Sequence, residues 1–274
     1  MIEKFLFIPS SEMRFLLKSE SFNEGIVRVF DFEDAIHEYE IDDSLKNFPI
    51  INIRVNDWIR LPFNLIQARK IVEDVVKRNI NKFIIPKFES IDHLIIFINM
   101  IKEFYHNPKF ILLIENARAY NELNEILTQL KNDIYGVGIG SHDFSFETGI
   151  KNSNDYLRSI RINLLLMAKA HQVKPIDFVS RSIDNKKAFI EDLVEGFNCG
   201  YRSKFMINPK QITMTDRYPF FSKQEVEFFQ EVLNYYNFEL QSKSAVFKYK
   251  GILYEKMHLK SFQEILQWGN KFYE

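Results

Sequence analysis

Short apolar runs recur along the chain, each followed by a stretch whose apolar residues step by three and four. The runs are Phe5–Ile8, Ile26–Phe30, Ile50–Val55, Phe83–Ile85, Phe110–Ile114, Ile134–Ile139, Ile176–Val179 and Phe205–Ile207. Apolar on consecutive positions and bounded by Pro, Gly, Asn or Asp, they predict strands buried on both faces. Between them, Leu65, Ala68, Val72 and Val75 form a helical stripe. So do Leu94, Phe97, Ile101 and Phe104, then Ile160, Leu164, Met167 and His171, then Phe189, Leu193 and Phe197. Ser222-Lys-Gln-Glu225 reads as a capping box opening a helix with Val226, Phe229, Leu233 and Tyr236 on one face.

Eight strands alternating with helices predict an α/β protein with a parallel sheet, and eight is the number that closes a (β/α)8 TIM barrel. An open doubly wound sheet fits the same periodicity. The pattern assigns residues 1–215 to the barrel. Residues 216–274 exceed what eight units need and are expected to form a C-terminal helical extension packed on the barrel or on a neighbouring subunit.

Composition narrows the partners. At 46% hydrophobic, the 274 residues can bury a large core, which excludes wholesale disorder. Thirty-six basic against 37 acidic residues argue against an electrostatic nucleic-acid binder. The single cysteine, Cys199, excludes an internal disulfide and a multi-cysteine zinc site. No apolar segment approaches the roughly 20 residues that span a bilayer, and Phe5–Ile8 is too short for a signal-peptide core. A soluble cytoplasmic protein, with neither nucleic acid nor membrane as partner, is expected.

In a parallel barrel, chemistry collects where strands end and loops begin. The groups closing the runs are Pro9-Ser-Ser11, Asp31-Phe-Glu-Asp34, Arg54-Val-Asn56, Pro86-Lys-Phe-Glu89, Glu115-Asn116, Ser141-His-Asp143, Asp177 and Asn208-Pro-Lys210. Glu115 and Asp143 lie 28 residues apart, one βα unit, and so would close adjacent strands. Two neighbouring carboxylates repel unless a cation or proton lies between them, and Mg²⁺ prefers oxygen ligands with retained waters. Arg54 would face a substrate carboxylate or a developing enolate; a buried ion pair with Glu115 or Asp143 is the alternative. Gly136-Val-Gly-Ile-Gly140 lacks the order of a dinucleotide loop, no helix is expected directly after it, and its glycines point to close backbone approach near a site. Strand alternation is expected to turn His142 away from Asp143, and the other histidines show no metal spacing.

The succession FLFIPSSEMRFLLK, DFEDAI, INIRVND, IIPKFES, LLIENARAY, GIGSHDFS, VKPIDFV and MINPKQI resembles the citrate lyase β-subunit-like proteins of the HpcH/HpaI aldolase superfamily, which includes malyl-CoA lyases. It runs over roughly residues 3–270. The resemblance implies a (β/α)8 barrel, usually a homotrimer or other homo-oligomer, and Mg²⁺-dependent making or breaking of a C–C bond beside a carbonyl, commonly in CoA thioesters. It implies that Glu115 and Asp143 bind the metal and that Arg54 holds the substrate carboxylate and stabilises an enolate. It further implies that Glu33 and Asp34 hold metal-bound waters, that Lys87 and Glu89 line the pocket, and that Arg14, Asn208 and Lys210 contact substrate. Gly251-Ile-Leu-Tyr-Glu255 stands where some relatives carry an Asp that reaches a neighbouring subunit's site, so Glu255 is a candidate there.

The expected function is therefore a Mg²⁺-dependent carbon–carbon lyase or aldolase acting on a small oxo- or hydroxy-acid or its CoA thioester. A barrel that binds a ligand or partner without turnover, and an enzyme of phosphoenolpyruvate- or pyruvate-type chemistry, are the alternatives. CoA use is in question from the residues themselves. The loop glycine that usually precedes the family's first arginine is absent, and Glu12, Glu38, Glu40, Asp42 and Asp43 crowd the first two strand ends. Carboxylates within a Debye length of about 8 Å disfavour phosphates. Weak CoA binding, with a dissociation constant of about 1 mM or weaker, is expected.

Overall fold

The computed structural model describes residues 2–34, 40–48, 51–240 and 243–273. His37, Glu38 and the start of the Ile50–Val55 run lie outside the described residues. Two compact units emerge, residues 2–215 and a second beginning at Asp216.

The first unit is a parallel barrel. Its strands are β1 Glu3–Pro9, β2 Ile26–Asp31, β3 Trp58–Arg60, β4 Lys82–Ile85, β5 Lys109–Ile114, β6 Ile134–Ile139, β7 Lys174–Ile176 and β8 Ser203–Met206. Neighbours in sequence are neighbours in the sheet from β1 to β7, and β8 returns to pair with β1. The ring closes just past β7, where the Asp177 N–H donates to Ser203 O and the Phe205 N–H to Asp177 O. That closure is a (β/α)8 barrel and removes the open-sheet alternative.

Helices follow the strands: α1 Met13–Ser19, α2 Ile41–Asn47, α3 Leu65–Val75, α4 Ile91–Lys102, α5 Ala117–Leu130, α6 Ser141–Thr148, α7 Asn154–Ala170, α8 Lys186–Asn198 and α9 Pro209–Asp216. Asn64, Ser90, Asn116 and Asn185 cap α3, α4, α5 and α8 with side-chain oxygens that accept backbone N–H groups. The barrel interior is filled by alternate residues, among them Phe5, Val27, Val29, Trp58, Ile84, Ile111, Leu113, Ile176 and Phe205. Gly138 is required there, because a Cβ would lie 2.6 Å from the Phe205 ring and 2.8 Å from Ile176 O.

One strand was misplaced by the apolar pattern. Residues 51–55 form a loop, and β3 is the three residues Trp58–Arg60. The loop is held by polar bonds. The Arg54 N–H donates to Asp57 Oδ2 at 2.7 Å, and its guanidinium donates to Glu20 O at 3.0 Å and Asn23 O at 3.4 Å. Both carbonyls precede β2, so Arg54 stands at the N-terminal end of the barrel.

The second unit holds α10 Lys223–Asn234, a single π-helical turn Tyr235–Glu239, strands β9 Val246–Tyr249 and β10 Ile252–Glu255, and α11 His258–Tyr273. The capping box is present: Ser222 Oγ accepts the Glu225 N–H, and Glu225 accepts the Ser222 N–H. The helical extension is present as α10 and α11, and the β9–β10 hairpin between them is an addition that the apolar pattern did not mark. Its two-residue turn, Lys250-Gly251, has both φ angles positive, at 46° and 85°, which matches the twist of a tight hairpin. Val232, Phe247, Tyr254 and Phe262 belong to its core. Glu255 is exposed on β10, its N–H donating to His258 Nδ1 at 3.0 Å. Among the described residues, no helix is long and apolar enough to cross a membrane.

Candidate active site

A pocket of about 330 Å³ opens at the C-terminal ends of the strands, lined by residues from β1–β3, β5, β6 and β8 and the loops after β2 and β5–β8. Asp31 ends β2 and Arg60 ends β3. The guanidinium grips Asp31 with two bonds, Nε to Oδ1 at 2.7 Å and Nη2 to Oδ2 at 2.5 Å, a fork geometry that lysine cannot supply. Nη1 donates to Asp34 Oδ2 at 2.9 Å. Glu33 Oε2 stands 3.1 Å from Nη1, yet is buried outside hydrogen-bonding geometry. Lys87 completes the cluster with a bond to Asp34 Oδ1 at 2.8 Å and a contact to Glu33.

Lys87 has φ +52°, a left-handed backbone that costs a non-glycine residue about 1–3 kcal/mol. That conformation accompanies two bonds in different directions. The Lys87 N–H donates to Glu115 Oε2 at 2.6 Å while its Nζ reaches Asp34. Glu115 follows β5 and is buried. Gly140, which caps α6, gives it room, since a Cβ there would overlap the Glu115 carboxylate. Asp143 lies in the first turn of α6 and lines the same pocket.

The electrostatics are unbalanced. Burial pushes the Glu115 carboxyl up to about 8; the Lys87 N–H opposes this, and Glu33 and Asp143 add to it. Burial likewise raises Glu33, to about 7, against the pull of Arg60 and Lys87. Burial would raise Asp34 as well, but Arg60 and Lys87 prevail and hold it at about 2. Asp31, Glu33, Asp34, Glu115 and Asp143 face Arg60, Lys87 and Arg181, so five carboxylates meet three cations. Among the described residues, no set of three or more His, Cys, Asp or Glu side chains is grouped to hold a metal. A cation here would rest on the pair Glu115 and Asp143.

The expected residues scatter. Glu33, Asp34, Lys87, Glu115 and Asp143 gather at the mouth. Arg54 does not: it lies at the opposite end of the barrel, and Arg60 occupies the strand-end position assigned to it. Arg14 is exposed and paired with Glu12 at 2.6 Å. Glu89 is exposed near His93, and neither residue lines the pocket. Asn208 Oδ1 accepts the Lys210 N–H at the start of α9, and Lys210 Nζ bonds Asp184 at 2.5 Å, both outside the lining. His142 is a second correction: helix α6 begins at Ser141, directly after Gly140, and turns the imidazole onto the pocket wall beside Arg181. Asp177 faces away from the mouth into a buried cluster with Arg161 and Lys204.

Sequence reasoning missed Arg60 and Arg181. For Arg60 the signal was present in Trp58-Ile-Arg-Leu61, an apolar triplet interrupted by one charge. Arg181 lies in a loop with no pattern to mark it.

A closed parallel barrel with buried carboxylates at the C-terminal mouth belongs to the enzyme-like (β/α)8 proteins that build sites from strand ends. The family model for HpcH/HpaI aldolase/citrate lyase matches residues 4–209, and this chain belongs to that family. It is 23% identical over 229 residues to the citrate lyase subunit beta of Haemophilus influenzae, covering 76% of each chain. Among solved structures it is similar to Mycobacterium tuberculosis CitE in complex with magnesium, acetoacetate and coenzyme A. The TM-score is 0.79 at 18% identity, with 98% of both chains covered. It is also similar to the M. tuberculosis citrate lyase beta subunit complexed with oxaloacetate and magnesium, at TM-score 0.66 and 20% identity, over 77% of this chain and 94% of the other.

Proposed function

We propose that this chain is a carbon–carbon lyase that makes or breaks the bond beside a carbonyl of a small oxo- or hydroxy-acid, with Mg²⁺ held by Glu115 and Asp143. The observation that carries this reading is the buried Glu115, raised to about 8 beside Asp143 in a pocket with two formal negative charges in excess. A divalent cation removes that excess, and two carboxylates with waters suit magnesium. The magnesium complexes of the two M. tuberculosis relatives support the choice of metal. When bound, the ion supplies Lewis-acid polarisation of a carbonyl oxygen.

The chain's own groups do the rest. Arg60, in place of Arg54, orients the substrate carboxylate; Asp31 and Asp34 fix the plane of its guanidinium. The Lys87 N–H and the space left by Gly140 set the Glu115 carboxylate. Glu33 is the group suited to exchange a proton near neutral pH, through Oε2, which lies beside Arg60 but accepts no hydrogen bond. Asp34 positions Arg60 and Lys87. Glu255 is kept as a candidate from a neighbouring subunit's C-terminal unit, and a homo-oligomer in the cytoplasm is the expected setting.

Weak CoA binding also belongs to this reading, supported by the pairing of Arg14 with Glu12. Part of the acidic stretch is itself neutralised, Asp42 by Lys70 and Asp43 by Lys46, which limits the repulsion. The experiment is turnover of a panel of oxo- and hydroxy-acids, free and as CoA esters, in Mg²⁺ and in EDTA. Mg²⁺-dependent C–C cleavage of a free acid supports the proposal. Tight Mg²⁺ binding with no turnover of any substrate would leave a binding barrel instead.

A further inference from the structure

Glu115 and Asp143 stand on separate segments, Glu115 directly after β5 and Asp143 on α6. The pair can hold one small ion only if those segments keep a fixed separation. The Glu115 segment is tied on one side. The Lys87 N–H donates to Glu115 Oε2 at 2.6 Å, and the next residue, Asn116, donates from Nδ2 to Phe88 O at 2.8 Å. Both bonds run to the loop after β4 and leave α6 out.

Helix α6 itself is lightly held. It has eight residues, and Phe144 is its large buried side chain, while Phe146 is 89% exposed. The Phe144 ring meets Tyr120 of α5 edge-on, with centroids 5.9 Å apart. One turn beyond Asp143, on the same side of the helix, Glu147 Oε2 accepts the Ala117 N–H at 3.0 Å. Ala117 is the first residue of α5 and lies two residues after Glu115. Its N–H is one of those that a helix start leaves without an internal partner, and the cap residue Asn116 is occupied by the Ala119 N–H. Arg118, the nearest cation in sequence, is engaged by Glu122 at 2.7 Å.

We infer that Glu147 is a positioning residue for the metal site: its bond to Ala117 braces α6 against the start of α5 and sets how far Asp143 stands from Glu115, so that the pair suits Mg²⁺ over a larger divalent ion. The inference rests on the metal placement proposed above. Mg²⁺ takes oxygen ligands at about 2.0–2.1 Å in a strict octahedron, whereas Ca²⁺ accepts about 2.3–2.6 Å and irregular geometry. A brace therefore matters more to the smaller ion. Glu147 lies outside the lining of the pocket, so no substrate contact is asked of it.

The test is calorimetry of the substrate-free protein with MgCl2 and with CaCl2, on the full chain and on Glu147→Ala, Glu147→Gln and Ala117→Pro. Glu147→Ala removes the acceptor. Ala117→Pro removes the donor at the helical position that best tolerates proline, after an Asn116 that is already extended at φ -145° and ψ 163°. Each should weaken Mg²⁺ binding about tenfold, the low end of what losing a ligand-orienting group costs, and Ca²⁺ binding by less than about threefold. The double variant should be no worse than either single one. Glu147→Gln keeps a carbonyl oxygen for the bond and should stay within about twofold of the wild type. A Mg²⁺/Ca²⁺ ratio unchanged in Glu147→Ala and Ala117→Pro, whatever happens to their urea midpoints, leaves Glu147 a helix cap only and overturns the inference. A Glu147→Gln variant as impaired as Glu147→Ala also overturns it, by assigning the effect to charge. Wild-type protein that binds no Mg²⁺ overturns the metal placement as well.

Discussion

Two buried charge networks sit on this barrel, and they differ in one respect. Outside the β7–β8 seam, Arg161 bonds Asp177 at 2.8 Å and Asp192 at 2.8 Å, and Lys204 bonds Asp177 at 2.8 Å and approaches Asp192 at 2.9 Å. Two cations meet two anions, and all four residues are buried. At the mouth, Arg60 and Lys87 meet Asp31, Glu33 and Asp34, with Glu115 and Asp143 beyond them. In the seam network burial would raise Asp192, but Lys204 and Arg161 bring it below the usual carboxylate range. At the mouth, burial pushes Glu115 up to about 8. A balanced network stabilises a fold. An unbalanced one that lines a pocket asks for a ligand of opposite charge.

The sharpest way to break this contrast is Glu115→Gln. It removes the group that a cation would neutralise, so Mg²⁺ affinity measured by calorimetry should collapse. Turnover should fall at least about 10³-fold, because a Lewis acid contributes several kcal/mol to the barrier. Stability without metal should be unchanged or higher, since a buried, poorly compensated carboxyl has been made neutral. Unchanged Mg²⁺ binding would sink the metal assignment.

Lys204→Met tests the other side. It leaves Asp177 and Asp192 sharing only Arg161, and a broken buried pair costs about 3–5 kcal/mol, read as a lower urea midpoint. The same network has a pH signature. Because the folded state lowers the Asp192 carboxyl below its unfolded value, its stabilisation is complete above the unfolded range. It is lost as pH falls through the folded value. Urea midpoints should hold to about pH 5 and drop in stronger acid, and Asp192→Asn should flatten that acid limb. A stability loss on the alkaline side, with none in acid, would contradict the balanced reading.

Two arginines sharpen the comparison further. Arg60→Lys keeps the charge but loses the fork on Asp31, and turnover should fall about 10²-fold. Arg54→Lys, at the far end, should leave turnover within about twofold and cost about 1 kcal/mol of stability through two lost bonds to carbonyls. If the effects are exchanged, Arg54 acts on substrate and the strand-end argument fails.

The sequence by itself determined the alternation of strand and helix, the count of eight and the placement of Glu115 and Asp143 at one end of the barrel. Those features are local: a strand buried on both faces must be apolar at consecutive positions, and one βα unit separates neighbouring strand ends. Five of the eight runs cover most of their strands for that reason; the run 205–207 covers half of β8, and the run 176–179 shares only Ile176 with β7. β3 escaped because three residues, one of them charged, make no apolar run, while Ile51–Val55 imitates one in a loop tied down by polar bonds. The choice between Arg54 and Arg60 followed from that. Only the tertiary structure could make it, since the partners of Arg60 are Asp31, 29 residues earlier, and Asp34, 26 residues earlier. The same holds for the loop around Arg181, where Gln211, about 30 residues later, donates to Ser180 O and Ser182 O. A charge network is decided by which side chains share a dry volume, and chain closure around the barrel creates that volume.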